Sequence, residues 1–323
     1  MTIKFEPCFI YLLIMNTAFV YPGQGAQYVG MGKDLTQSYP EIKEIFKTAD
    51  DILGFELTRI CSEGPEEELR QTYVTQPAIF VHSMALTSIV GRKLQASFAA
   101  GHSLGEYSAL VYAGALTFED GLKLVKLRGE QMQKAGELNK GTMAAVIGLD
   151  AAKVDEVCKE ASAAGIVQVA NFNSPGQVVI SGSVEGVRKA MELAKANKAK
   201  MVKELVVHGA FHSPLMESAR EELKKALDNT DFKPVRIPVY RNVDAKPIRP
   251  ETKPVEIRDS LYRQLTSSVR WEESVLNMIA DGANEFVELG PGKVLQGLIK
   301  RINNSVTLRG FDKAEDLAAM SNE

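Results

Sequence analysis

Apolar positions between residues 141 and 207 alternate between strand-like and helix-like spacing. The predicted order is strand, helix, strand, turn, strand, helix, strand, at TMAAVIG, Ala151–Ala163, IVQVANF, Ser174–Gly176, QVVISG, Val184–Ala196 and MVKELVV. This β-α-β-β-α-β order is the split βαβ arrangement of a ferredoxin-like unit. The pattern therefore predicts a small ferredoxin-like subdomain at residues 141–207.

The sequence on either side of this stretch alternates apolar strands with amphipathic helices. Helix Phe118–Gln133 and strand Glu285–Leu289 are examples. Such alternation is typical of an α/β core built around a parallel sheet. We expect residues 1–140 and 208–323 to form one discontinuous large domain, with an active site where the small subdomain meets it.

Composition narrows the class of protein without identifying it. The 323 residues include 38 Lys+Arg and 41 Asp+Glu, which give a formal net charge of -3, and 45% of the residues are apolar. This is typical of a soluble globular enzyme of about two domains, and it argues against nucleic-acid binding, which needs a basic excess. Three widely spaced cysteines predict neither a disulfide framework nor a metal site, and favour a reducing, cytoplasmic compartment.

An apolar run near the N-terminus, Phe9–Val20, is too short to span a bilayer, and no small-residue cleavage site follows it. We therefore expect neither a membrane anchor nor a secretion signal. Thr17–Tyr21 is predicted to be a buried strand, and residues 1–14 to be a dispensable extension. Deleting residues 1–14 is expected to leave activity intact; an assay showing lost activity in well-folded truncated protein would contradict this.

Gly101-His102-Ser103-Leu104-Gly105 has the G-x-S-x-G pattern of a serine nucleophile. The small apolar stretch 98–100 precedes it and a helical run, 106–113, follows it. In that context the glycines permit a sharp turn that presents the serine oxygen at a helix N-terminus. The motif predicts that Ser103 is a nucleophile.

Ser103 needs a base, and the chain has four histidines. His82 lies in an apolar segment and is interpreted as a core residue, and His102 is expected to pack beside the site. Of the remaining two, His212 is favoured over His208, because it lies in a loop between a strand and a helix that Pro214 opens. An α/β-hydrolase esterase would place its histidine near the C-terminus, so that alternative is weakened.

Six separated motifs, in order from residue 15 to residue 301, resemble the malonyl-CoA:acyl carrier protein transacylase family of bacterial fatty acid synthesis. They are YPGQGAQ at 21–27, GHSLGE at 101–106, Arg128 within LVKLRGEQMQ, NFNSPGQ at 171–177, GAFH at 209–212 and GPGK at 290–293. The resemblance implies an α/β-hydrolase-like core with the inserted subdomain. It also implies ping-pong transfer of malonyl from CoA, through an ester on Ser103, to the phosphopantetheine thiol of the carrier, with His212 moving the proton.

The same resemblance assigns further roles. The backbone carbonyl of Gln264 would orient His212, and the backbone amides of Gln24 and Leu104 would form the oxyanion hole. Arg128 would bind the free carboxylate of malonate, for which a planar guanidinium is well suited. Phe211, beside His212 in the sequence, would exclude a methyl branch. Asn171 and Asn173 are candidates for binding pantetheine or CoA, although both also fit a strand-end turn.

The resemblance implies malonyl-CoA as a substrate, no permanently bound cofactor or metal, and an acidic, transiently bound acyl carrier protein as partner. A cluster of lysines in the last predicted helix and strand of the small subdomain could bind that carrier or simply face solvent: Lys189, Lys195, Lys198, Lys200 and Lys203. Three alternatives to fatty acid supply stay open: a trans-acting polyketide synthase acyltransferase, a serine esterase and a non-catalytic scaffold.

Overall fold

The structure is a computed structural model that describes residues 16–320. The predicted extension, residues 1–14, lies outside the described residues. The strands are β1 (Thr17–Tyr21), β2 (Phe98–Gly101), β3 (Gly141–Ile147), β4 (Val167–Ser174), β5 (Gln177–Ser183), β6 (Met201–Glu204), β7 (Val239–Tyr240), β8 (Pro247–Ile248), β9 (Glu285–Leu289) and β10 (Thr307–Phe311).

The helices lie between these strands in the alternation that the sequence predicts. They are α1 (Lys33–Ser38), α2 (Pro40–Leu53), α3 (Leu57–Glu63), α4 (Glu66–Leu69), α5 (Thr72–Lys93), α6 (Gly105–Tyr112), α7 (Phe118–Leu138), α8 (Ala151–Ala161), α9 (Val184–Ala196), α10 (Glu217–Asn229), α11 (Pro254–Gln264), α12 (Trp271–Ala280), α13 (Val294–Ile302) and α14 (Ala314–Ala319). A single 3₁₀ turn, Pro214–Met216, precedes α10.

A six-stranded sheet forms the large core, in the order β10-β9-β1-β2-β7-β8. Its strands pair in parallel except for β8, which is antiparallel to β7. Strand β1 lies near the middle and is wholly buried, as its run of apolar residues predicts. The predicted α/β class with a parallel sheet is confirmed.

Strands β3 to β6 form a second, antiparallel sheet in the order β4-β5-β3-β6. This is the strand order of a ferredoxin-like unit, and α8 and α9 cover one face of the sheet, where Val154 and Val187 pack against Ala144 and Val146. Strand β6 ends at Glu204, three residues earlier than predicted, although the amide of Leu205 still donates to the Met143 carbonyl at 2.8 Å. The proposed domain boundaries at 140/141 and 207/208 stay predictions.

Backbone hydrogen bonds join β4 of the small sheet to Val269, in the segment between α11 and α12. The amide of Phe172 donates to the Val269 carbonyl at 2.9 Å, and the amide of Val269 donates to the Ala170 carbonyl at 2.8 Å. This short parallel bridge fixes the small sheet beside the segment that follows α11. The other face of the small sheet, which carries Met143 and Ala145, therefore lies over the C-terminal edge of the large sheet.

Helix α5 is the one helix within residues 16–320 that is long and apolar enough to cross a membrane. Most of its side chains are buried in the core, including Phe80 and His82, which have no exposed surface. Apolarity on all sides is what a helix at the centre of a large core requires.

The turn from β2 into α6 brings three backbone segments into contact. Ser103 has a left-handed φ of 51°, as expected for a nucleophile turn between strand and helix. A Cβ atom on Gly101 would overlap the backbone of Gly105, and one on Gly105 would overlap the carbonyl oxygen of Tyr21 in β1. The two glycines of the motif are therefore required by close packing of α6 on β1 and β2.

We expect Gly105→Ala to lower the free energy of unfolding by about 1–3 kcal/mol or more, because a fixed backbone oxygen occupies the space of the new methyl group. Gly91→Ala, within α5, is the matched control. The Cβ atom added there would lie at an ordinary contact distance of 3.7 Å from its nearest neighbour, the side chain of Tyr112. The control should raise stability by up to about 1 kcal/mol. Urea denaturation measures both, and equal effects of the two substitutions would contradict the packing argument.

Candidate active site

The side chains of Ser103 and His212 meet at the C-terminal edge of the large sheet. The Oγ atom of Ser103 lies 2.8 Å from Nε2 of His212. The other ring nitrogen, Nδ1, lies 2.9 Å from the backbone carbonyl of Gln264 and 3.1 Å from that of Ser267. Two carbonyl acceptors require a hydrogen on Nδ1, which leaves Nε2 with a lone pair directed at the serine.

His212 is held in a buried and constrained loop. Its side chain is buried and its φ is 57°, so its backbone is left-handed like that of Ser103. The side-chain amide of Gln168, from β4, donates to the His212 carbonyl at 2.8 Å and to that of Thr266 at 3.1 Å. Burial, followed by the positive charge of Arg128, lowers the pKa of His212 to about 3. The imidazole is therefore neutral near pH 7 and able to accept a proton.

Arg128 is a buried cation on α7, with 1% of its surface exposed. Its guanidinium donates to Oε1 of Gln76 at 2.7 Å, to Oε1 of Gln264 at 3.0 Å and to Oγ of Ser103 at 3.0 Å. The aromatic ring of Tyr107 lies 5.8 Å from its central carbon. Arg128 thus lies beside Ser103, where it could contact a negatively charged group on an acyl chain attached to the serine oxygen.

Glu106, Asn242 and Gln264 form a buried network below the serine. The carboxylate of Glu106 accepts from the Asn242 amide at 2.9 Å and from Nε2 of Gln264 at 2.8 Å. Nε2 of Gln264 also donates to the Ser103 carbonyl at 3.0 Å. Asn242 holds the turn from both ends, because its Oδ1 accepts from the Ser103 amide at 2.6 Å and its Nδ2 donates to the Gly101 carbonyl at 2.7 Å.

Gln76, Asn242 and Glu106 were not predicted from the sequence as site residues. Two signals were present in the sequence. Asn242 lies two residues after β7, at the edge of a parallel sheet where functional groups collect. Glu106 is an acidic residue inside an otherwise small and apolar run, and burial raises its pKa to about 7.

A cavity of about 290 Å³ opens above Ser103 between the large core and the small sheet. The predicted site residues Gln24, Leu104, Asn171, Asn173 and Phe211 line it, together with Ser103, Arg128 and His212. Its remaining walls come from β3, β5, the segment after β6 and α13, including Met143, Val179, Leu205 and Leu298. The structure thus brings all predicted side-chain site residues to one cavity.

Asn173 is already engaged inside the site. Its Oδ1 lies 2.8 Å from Nε2 of His102, which packs beside the nucleophile as predicted and next to Trp271. His82 is a core residue as predicted, because its buried Nε2 lies 2.9 Å from the Asp312 carbonyl. His208 is exposed and lines a separate cleft with Gln133 and Lys140.

Comparisons with known proteins identify the family of this chain. The acyl transferase domain family matches residues 18–318. The malonyl CoA-acyl carrier protein transacylase of Bacillus subtilis strain 168 is 47% identical over 288 residues, which are 88% of this chain and 90% of that protein. This chain belongs to the malonyl-CoA:acyl carrier protein transacylase family.

Solved structures of this transacylase family have the same fold. An acyl carrier protein S-malonyltransferase from Vibrio cholerae has a TM-score of 0.89 at 43% identity, covering 94% of this chain and 99% of that one. A malonyl-transacylase in complex with a type II PKS acyl-carrier protein has a TM-score of 0.90 at 41% identity, covering 95% and 100%. The likeness extends over both sheets, and acyl carrier protein is the partner that the family's names indicate.

Reaction of Ser103 with a sulfonyl fluoride should stay fast as the pH falls through 6.5, the ordinary pKa of histidine. The neutral imidazole is the active form, and activity is lost only when the pH falls through its lowered pKa. Inactivation rates between pH 4 and 8 measure this. Because Glu106 titrates near pH 7, the series is repeated in Glu106→Gln protein, where a midpoint at 6.5 or above would contradict the prediction.

Proposed function

We propose that this protein transfers the malonyl group from malonyl-CoA to the phosphopantetheine thiol of acyl carrier protein, as a supply step for fatty acid synthesis. The observation that carries the proposal is the Arg128 guanidinium, which lies 3.0 Å from Oγ of Ser103. An acyl chain esterified to that oxygen would bring a carboxylate two carbons away within reach of the guanidinium. The similarity to proteins named malonyl CoA-acyl carrier protein transacylase supports the same reaction.

In the first half-reaction Oγ of Ser103 attacks the thioester carbon of malonyl-CoA, and its proton passes to Nε2 of His212. The carbon–sulfur bond breaks, the CoA thiolate takes the proton from the histidine, and malonyl remains as a serine ester. In the second half the carrier thiol gives its proton to His212 and attacks the ester carbon. Ser103 then leaves with that proton, so the enzyme returns to its starting state.

The carbonyls of Gln264 and Ser267 replace the carboxylate of a serine triad. They accept the Nδ1 hydrogen and hold the ring without adding a negative charge. A neutral acceptor stabilises the imidazolium less than a carboxylate would, which suits a shuttle that must release its proton in both directions.

The tetrahedral intermediate needs donors for its oxyanion. We assign this role to the backbone amides of Gln24 and Leu104, two residues that line the cavity with Ser103. Leu104 immediately precedes α6, so the positive end of the helix dipole supports the same charge. Phe211 would limit space for a methyl branch, and Asn171 would contact the pantetheine arm.

The proposal includes no resident cofactor and no metal. Malonyl-CoA enters as substrate, and the second phosphopantetheine arrives on the carrier protein in a transient, acidic complex in the cytoplasm. The same chemistry would serve a trans-acting polyketide synthase, and the similarity to a transacylase in complex with a type II PKS carrier makes that the second candidate. The two differ in the carrier that is accepted with the lower KM.

The test is incubation with radiolabelled malonyl-CoA, with and without phosphopantetheinylated acyl carrier protein, in wild type and Ser103→Ala. We expect label held on wild type, absent from Ser103→Ala and transferred when carrier is added. Steady release of free malonate without carrier would indicate an esterase. An absence of labelling would support the scaffold alternative and contradict the proposal.

Arg128→Ala is expected to lower kcat/KM for malonyl transfer by roughly 10²- to 10³-fold, because the substrate carboxylate would be buried without a partner. Its relative activity on acetyl-CoA should rise, since an acetyl group no longer leaves a buried cation unpaired. Arg128→Lys is the control, because it keeps the positive charge but loses the bidentate geometry. Its kcat/KM for malonyl transfer should lie between those of wild type and Arg128→Ala. Unchanged selectivity in Arg128→Ala would contradict the assignment.

A further inference from the structure

Gln168 lies on β4, the edge strand of the small sheet, yet its side chain contacts the backbone of the proposed general base. Nε2 of Gln168 donates to the His212 carbonyl at 2.8 Å and to the Thr266 carbonyl at 3.1 Å. These acceptors lie 44 and 98 residues further along the chain. A glutamine amide carries two hydrogens, so a single side chain can serve both carbonyls.

The backbone of His212 depends on its surroundings for its conformation. Its φ of 57° lies in the left-handed region, which is unfavourable for a residue with a side chain and persists only where neighbouring groups fix it. The hydrogen bond from Gln168 fixes the direction of the His212 carbonyl. It therefore restricts the peptide group that follows the imidazole-bearing residue.

The second acceptor, Thr266, belongs to the segment that orients the imidazole ring. The carbonyls of Gln264 and Ser267, on either side of Thr266, lie 2.9 Å and 3.1 Å from Nδ1 of His212. One glutamine side chain thus connects the backbone of the histidine to the backbone that holds its ring. A shift between these two segments would turn Nε2 away from the nucleophile.

Further hydrogen bonds hold β4 against the same segment. Oγ of Ser268 donates to the Val169 carbonyl at 2.6 Å. Val269 bonds through its backbone to Ala170 and Phe172. An edge strand has backbone groups open for pairing, and this segment pairs with those of β4. The small sheet is therefore held in register with the carbonyls that orient the imidazole.

Gln168 supplies donors without adding a charge beside the base. An ionised Asp or Glu has only acceptors and would face two carbonyl oxygens. A Lys would donate, but its positive charge would disfavour the imidazolium that forms when His212 takes the serine proton. The neutral amide satisfies both carbonyls without opposing the charge that develops on the ring.

We propose that Gln168 is a positioning residue for proton transfer, which holds the His212 backbone in register with residues 264–267 so that Nε2 faces Oγ of Ser103. Through this contact the small sheet holds the base in addition to forming a wall of the cavity. The inference rests on the proposed function only in taking His212 as the base for Ser103.

The test is a double-mutant cycle on the full-length protein, measured as the rate at which a sulfonyl fluoride labels Ser103 in intact-protein mass spectrometry. Gln168→Met removes both donors and keeps the length of the side chain. We expect it to lower the labelling rate about tenfold when His212 is present, because a displaced base accepts a proton more slowly. In His212→Ala protein the same substitution should change the residual rate by less than about twofold, since no base remains to be positioned.

Thr142→Val is the matched control on the same sheet. Oγ1 of Thr142 donates to the side chain of Glu204 at 3.0 Å, within the small sheet and without contact to the His212 loop. Its loss should leave the labelling rate within about twofold of wild type. Urea denaturation of each variant confirms that the labelled protein is folded.

Proton NMR supplies a readout that does not depend on the reaction. The Nδ1 hydrogen of His212 lies against two carbonyls and should exchange slowly with water in wild type. Its resonance is identified by its absence from His212→Ala protein. We expect faster exchange in Gln168→Met and unchanged exchange in Thr142→Val.

Four outcomes would overturn the positioning role. An unchanged labelling rate in Gln168→Met would contradict it directly, as would unchanged exchange of the imidazole hydrogen. Equal losses with and without His212, or an equal loss in Thr142→Val, would indicate only general loosening of the small sheet. Failure of the proposed function is distinguishable, because labelling by a sulfonyl fluoride needs no malonyl-CoA, whereas wild type would then form no malonyl-serine.

Discussion

The buried positive charge of Arg128 is the constraint around which the site is arranged. A guanidinium with almost no exposed surface needs acceptors for its hydrogens, and Gln76, Gln264 and Ser103 accept from its two terminal nitrogens, Nη1 and Nη2. Gln264 connects Arg128 to the rest of the site, because its side-chain amide also donates to Glu106 and its backbone carbonyl accepts from His212. The group that would recognise the substrate and the groups that would activate the nucleophile therefore share one network.

A neutral histidine and a buried carboxylate both follow from the same desolvated environment. Burial lowers the pKa of His212 and raises that of Glu106, since in each case the charged form loses its water. The nearby positive charge of Arg128 adds to the effect on the histidine. Burial also favours a substrate that carries a carboxylate, because an uncharged acyl group would leave the buried positive charge of Arg128 without an anionic partner.

Much of the fold and part of the site were predictable from local patterns. The βαββαβ order, the buried strand Thr17–Tyr21 and the turn at Ser103 each follow from spacing and turn chemistry within about 60 residues or fewer. The resemblance supplied Gln264 and Arg128, which composition and spacing could not. The network residue Asn242 was not predicted, because its two contacts with the nucleophile turn join positions about 140 residues apart.

The sequence by itself determined which segments become strands, helices and sharp turns, because those choices depend on near neighbours and on the spacing of apolar residues. Only the tertiary structure decided which polar groups meet. The lysines show the difference: Lys203 lies on the cavity face of the small sheet, whereas Lys189 and Lys195 belong to α9, which covers the opposite face.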